Sequence, residues 1–169
     1  MAVLSQWFCT PEGRALARVE WQSLADWLDG EQREVVVRVG GSWLADDLIR
    51  DLRPRCYCRL DWEAGPGSDA RTALTRLPLR RESVGLLLLV HALDVSPEPE
   101  RLLEEAAQVL TPEGELLVLG FNSWSLWGIR HRHDGPGPTA PPGPVGSNAW
   151  RPGWPGSTCC RPTSVALRR

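Results

Sequence analysis

The run Leu86-Leu-Leu-Leu-Val90 constrains this chain more than any other stretch. With Gly85 before it, it has no polar position and therefore no face to give to water. Such a strand belongs in the middle of a parallel sheet that is covered on both sides. It is far too short for the ~20 residues a bilayer requires.

The elements around it follow the same plan. Thr10-Pro11 is a helix start signal. From Pro11 to Leu28, Leu16, Val19, Leu24, Trp27 and Leu28 recur at mostly helical spacing. Val35-Val-Val-Arg-Val39 is short and β-branched and breaks into Gly40-Gly41, a buried strand running into a glycine turn. Trp43–Leu52 reads as helix and ends at Pro54, and Cys56–Leu60 reads as a second strand closed by Asp61. A Gly/Pro loop follows, then the 85–90 strand. Glu98–Leu110 is an amphipathic helix with Leu102, Leu103, Ala106, Val109 and Leu110 on one stripe. Thr111-Pro-Glu-Gly114 is a turn, and Glu115–Gly120 a further strand. Strands alternating with helices predict an α/β, Rossmann-like three-layer sandwich with a mostly parallel sheet.

In such sheets the ligand crevice lies beyond the carboxyl ends of the strands. Gly40, Gly41, Asp61 and His91 are therefore expected on one rim. Glycines let a ligand approach the backbone closely. Asp61, 21 residues past Gly40, is placed to accept both hydroxyls of a ribose. That placement alone leaves a nicotinamide cofactor and S-adenosyl-L-methionine both open.

Composition divides the chain at about residue 130. Residues 1–130 carry 14 Arg against 20 acids, a net of -6, whereas 131–169 carry five Arg against one acid, a net of +4. The latter segment holds eight Pro and six Gly and lacks apolar periodicity, so a disordered tail is expected. All 19 basic residues are Arg, which points to coding DNA rich in G and C. Out-of-frame reading of such DNA also gives Pro, Gly, Arg and Ala. A genuine tail and a frameshift near Arg130 therefore both account for the segment. Either way the sheet is expected to be incomplete at its C-terminal edge, with the strand 115–120 left open.

The whole-chain charge of -2 gives no reason to expect nucleic acid or an anionic membrane as partner. Cys9, Cys56, Cys58, Cys159 and Cys160 match neither a disulfide framework nor a zinc spacing. Cys56 and Cys58 are expected as a buried structural pair on one strand face. His131 and His133 lack companion ligands, so no metal site is expected. No signal segment is visible at Met1–Gln6, which makes a cytoplasmic location the expectation.

One family resemblance narrows the reading. The runs Leu77-Pro-Leu-Arg-Arg-Glu-Ser-Val84, Leu86–Leu93, Pro97–Gly114 and Glu115–Gly120 resemble class I S-adenosyl-L-methionine-dependent methyltransferases of the type 11 kind. They follow those enzymes' leucine-proline loop, fourth strand, helix, proline-glycine turn and fifth strand. The continuation Gly120-Phe-Asn-Ser-Trp-Ser-Leu-Trp-Gly128, with Trp7, Thr10-Pro11 and Gly13, is similar to one bacterial subgroup. The resemblance covers about residues 7–130. It implies a methyltransferase-like domain over 1–130, with the helix 11–29 as its cover; its acceptor is open, with a small molecule expected over nucleic acid because the sequence shows no basic aromatic groove. It also implies cofactor contacts at Gly40, Gly41, Asp61, Leu77 and His91, and substrate contacts at Asn122 and Trp124. His91 is the candidate general base; the other reading makes it a structural residue at a strand end. The chain departs from the family pattern in its glycine motif, normally an acid followed by Gly-x-Gly-x-Gly and here only Val39-Gly40-Gly41-Ser42, and in its acids. Arg38 stands near the usual acid of the glycine motif, Ala73 at the adenine-binding acid, and Gly85 at the usual Asp of the fourth strand. Each lost charged hydrogen bond is worth roughly 1.5–3 kcal/mol, so a fold that has lost its cofactor pocket is the opposing reading.

Overall fold

The computed structural model describes residues 2–28, 33–44, 46–63 and 67–121, and the strands 157–160 and 164–168. Two helices open the chain, α1 (Ala2–Phe8) and α2 (Pro11–Leu28). Thr10 joins them: its hydroxyl donates to the Trp7 carbonyl at 2.7 Å and accepts the Gly13 amide at 3.1 Å, capping α2. Then come β1 (Val35–Gly40), α3 (Asp47–Asp51), β2 (Cys56–Asp61) and the short β3 (Ala70–Arg71). They are followed by β4 (Val84–Val90), α4 (Ala92–Val95), α5 (Pro99–Val109) and β5 (Leu110–Leu119). Two last strands are β6 (Ser157–Cys160) and β7 (Ser164–Arg168).

The sheet order is β3-β2-β1-β4-β5-β7-β6. The first five strands are parallel, while β7 runs antiparallel to β5 and β6 antiparallel to β7. The fold is thus the Rossmann-like, mostly parallel sheet with flanking helices that the alternating elements imply. Strand order reverses between β1 and β4, where Gly40 pairs with Val90, and that is the topological switch point of such a sheet.

Alternation along the central strands divides the core into two layers. Val37, Val39, Leu87, Leu89, Leu116 and Val118 pack with Leu4, Trp7 and Phe8 of α1 and Leu102, Ala106 and Val109 of α5. Val36, Leu86, Leu88, Val90, Leu117 and Leu119 face the other way, onto Leu24 and Leu28 of α2 and Ile49 of α3. Leu86–Val90 is buried throughout, as an apolar strand with two covered faces must be.

Four features differ from the sequence expectation. The N-terminal α1 adds a helix before Pro11. The helix expected from Trp43 begins only at Asp47, because the Leu44 amide closes a turn on the Gly41 carbonyl at 2.9 Å. Cys56 is exposed and Cys58 half-buried, so the pair is no core element. The reason is that β3 pairs with β2 only at Leu60 and Asp61, leaving the start of β2 as an open edge of the sheet. Finally, the stretch expected to be disordered contributes β6 and β7. Those nine positions contain no Pro or Gly, and Ser164–Leu119 to Arg168–Glu115 pairing satisfies the edge of β5. Residues 122–156, and with them most of the proposed tail, lie outside the described residues. The turn Thr111–Gly114 falls within the bounds of β5 as a bulge, between the pairs Val84–Leu110 and Leu86–Glu115.

Candidate functional site

The carboxyl ends of β1, β2 and β4 form the rim that the fold offers to a ligand. At the end of β1 the chain turns through Gly40 (φ 81) and Gly41 (φ 68), a left-handed conformation that glycine adopts without strain. A Cβ on Gly40 would lie 2.5 Å from the Val90 carbonyl oxygen and 2.7 Å from Cη2 of Trp62, with Cζ3 of Trp62 closer still. On Gly41 it would lie 2.6 Å from Cγ1 of Val90. The turn therefore needs two glycines for its own packing, and the open face of Gly40 carries the Trp62 indole.

Asp61 ends β2 and is 5% exposed. Its carboxylate accepts the amide of Glu63 at 3.2 Å and also the amide of Trp62. Burial pushes its pKa up, and the two amides and the Arg38 charge act in the opposite direction. No side-chain hydrogen-bond partner meets it among the described residues. Beneath it Arg38, on β1, is buried with its guanidinium on Asp46 at 2.8 Å and on the Leu44 carbonyl at 3.3 Å. Asp46 also receives the Tyr57 hydroxyl and Arg59, each at 2.8 Å, and Arg59 continues to Asp69 at 2.7 Å. Desolvation, and the hydrogen bond to Asp46, raise the Tyr57 pKa, so this hydroxyl stays a donor. An arginine at position 38 is thus consumed in holding the loop 42–47 to β1 and β2.

His91 follows β4 but does not line the rim. It is 0% exposed, at φ 53, with Nδ1 donating to Asp94 at 2.7 Å and Nε2 donating to Glu20 of α2 at 3.1 Å. Burial works against its charge, yet the Asp94 and Glu20 carboxylates outweigh burial and push the pKa up to about 9. Asp94 Oδ2 also accepts the Phe121 amide at 3.1 Å, and the His91 amide donates to the Leu119 carbonyl at 2.7 Å. The imidazole lies among aromatic rings: Phe121 at 4.5 Å, Phe8 at 5.0 Å and Trp43 at 6.0 Å between centroids. Phe8 and Trp43 are themselves stacked at 4.1 Å.

The structure therefore brings Gly40, Gly41 and Asp61 together and draws His91 beneath them into the core. Leu77 is buried apart, its amide donating to Glu105 of α5 at 3.2 Å. Asn122 and Trp124 lie outside the described residues. Sequence reading missed Glu20, Asp94 and Trp62. Glu20 had a signal: it occupies the apolar ladder Leu16, Leu24, Leu28 at four-residue spacing, where a carboxylate has no business without a partner. Trp62 had none, since only the folded loop lays it on Gly40.

Against known proteins, residues 58–118 match the family described as "Methyltransferase domain", and the sheet is similar in fold to those of solved S-adenosylmethionine-dependent methyltransferases. The matched segment contains Asp61, Leu77 and His91, while the Gly40-Gly41 turn precedes it. Among curated proteins, the Escherichia coli (strain K12) protein YafS is 44% identical over 54 residues, covering 32% of this chain and 22% of that protein. This chain thus spans about a fifth of the curated relative it matches. Among solved structures, a SAM-dependent methyltransferase from Aquifex aeolicus superposes with a TM-score of 0.56 at 14% identity, covering 86% of each chain. An S-adenosylmethionine-dependent methyltransferase from Mesorhizobium loti gives 0.52 at 23% identity, over 61% of this chain and 54% of that one.

Proposed function

We propose that this chain is an S-adenosyl-L-methionine-dependent methyltransferase whose cofactor lies over the Gly40-Gly41 turn with its ribose at Asp61, and whose acceptor is a small molecule. One observation carries the reading. A buried carboxylate that meets no side-chain hydrogen-bond partner among the described residues ends β2 beside a left-handed glycine turn ending β1, at the switch point of a parallel sheet. The residues fit a nucleoside: Gly40 offers a face without a side chain, and a planar ring, the Trp62 indole, sits on it.

The bound cofactor supplies a methyl group already activated on a sulfonium. The chain's own residues bind and orient. Asp61 accepts the ribose hydroxyls, and the Trp62 and Glu63 amides hold the carboxylate in one orientation for that task. The glycine turn lets the backbone approach closely. His91 acts as a positioning residue and not as the general base, since both ring nitrogens are engaged and the ring is shut off from solvent. It fixes the end of β4 against α2 and against Phe121. Positioning supplies much of the rate in such a transfer. Asn122 and Trp124, one and three residues past Phe121, are the proposed acceptor contacts. The excess of acids over Arg in residues 1–130 argues against nucleic acid as acceptor.

A second reading, a fold that no longer binds cofactor, is favoured by Arg38 and Ala73 in place of the family's acids. Titration calorimetry separates the two. Heat on adding S-adenosyl-L-methionine, with affinity falling about tenfold or more in Asp61→Ala, is the expected result. No heat at millimolar cofactor leaves the enzyme reading without support, and unchanged affinity in Asp61→Ala removes the ribose assignment.

A further inference from the structure

We propose that Trp62 gates the crevice: its indole covers Gly40 in the closed form and rotates off it to admit the nucleoside. The inference rests on the cofactor reading above and adds to it a conformational step and the residue that makes it.

Three observations support the gate. First, the indole occupies the ligand's own place. It is 6% exposed and lies against the missing side chain of Gly40, the face that a nucleoside needs. A ligand ring and the indole exclude each other there.

Second, the closed position is short of one hydrogen bond. The Trp62 Nε1 is buried and finds no acceptor among the described residues. A buried indole N–H normally has a partner. Rotation towards water would give it one, so the polar group favours opening while apolar burial in the core layer that holds Val37, Val39 and Leu60 favours closure.

Third, the backbone around the indole is held. Arg71 Nε donates to the Trp62 carbonyl at 3.2 Å, and the Trp62 and Glu63 amides donate to Asp61. Opening is therefore a matter of the Trp62 side-chain torsions and leaves Asp61 in place.

The test uses the full chain labelled with 5-fluorotryptophan, read by fluorine NMR, alongside calorimetry with S-adenosyl-L-methionine. Trp62→Phe identifies the Trp62 resonance by its loss, and it keeps a ring on Gly40 should Trp62→Ala fail to fold. In the gate, saturating cofactor moves the Trp62 resonance from a buried to a solvent-shifted position. Trp62→Ala binds about tenfold or more tightly, because the closed population no longer lowers the apparent affinity. Cofactor binding with an unmoved Trp62 resonance overturns the gate and leaves the cofactor reading standing. So does equal or weaker binding by Trp62→Ala, which would make the indole part of the seat. No binding by wild type, Trp62→Phe or Trp62→Ala overturns both. Binding by Trp62→Ala alone supports both, with the closed form dominant.

Discussion

The ends of β2 and β4 lie on the same rim of the sheet and are built in opposite ways. At the end of β2, Asp61 takes two backbone amides and meets no side chain in hydrogen bonding among the described residues. At the end of β4, His91 has both nitrogens paired, to Glu20 and Asp94, with its amide on Leu119. The first residue keeps bonding capacity for something outside the protein, whereas the second has spent all of it on joining α2, β4, α4 and the end of β5. The same position relative to a parallel sheet therefore yields a binding group in one case and a structural tie in the other. What separates them is the helix above: α2 brings a carboxylate to His91, and among the described residues no side chain hydrogen-bonds to Asp61.

The contrast is broken most directly at His91. His91→Ala leaves the buried Glu20 and the partly buried Asp94 without their shared cation, and is expected to cost about 3–5 kcal/mol in urea unfolding. A loss under 1 kcal/mol would mean that the tie is not structural. Gly40→Ala comes next, because the turn demands a positive φ and the new Cβ meets a backbone oxygen that cannot move cheaply. About 2–3 kcal/mol is expected, measured in the same unfolding series, and a neutral outcome would deny the close packing of the turn.

The charge on His91 sharpens the comparison further. Its pKa in the fold, about 9, lies above its ordinary 6.5. The stabilisation is therefore complete below pH 6.5 and is lost as pH rises through about 9. Urea midpoints for wild type should fall across that window, and His91→Gln should flatten the fall; equal slopes would remove the tie from the account. The smallest effect belongs to Asp61→Asn, whose stability should stay within about 1 kcal/mol of wild type, since burial already works against its charge. A loss as large as that of His91→Ala would erase the distinction between the two strand ends.

Much of the scaffold was legible without coordinates. Leu86–Val90 announced a central strand because burial on two faces forbids polar positions. The stripe of α5 and the Thr10-Pro11 cap announced helices because both are local signals. Gly40-Gly41 and Asp61 were identified as rim residues from the rule that ligands gather at the carboxyl ends of strands. The beginnings and ends of elements were less legible: α1, the short β3 and the pairing of β7 on β5 depend on contacts far along the chain. Cys56 and Cys58 were misplaced for a related reason, since a strand pattern does not say where its neighbour stops.

The rim shows where the boundary falls. Periodicity and turn chemistry act over a few residues, and so the amino-acid sequence alone determined which strand ends meet and that Gly40, Gly41, Asp61 and His91 stand at them. Whether each of those residues is open or spent depends on partners 71 positions away, as Glu20 is from His91, or on a loop tryptophan folding back over a glycine. Those pairings are made by packing the helices and loops onto the sheet, and only the tertiary structure decided them.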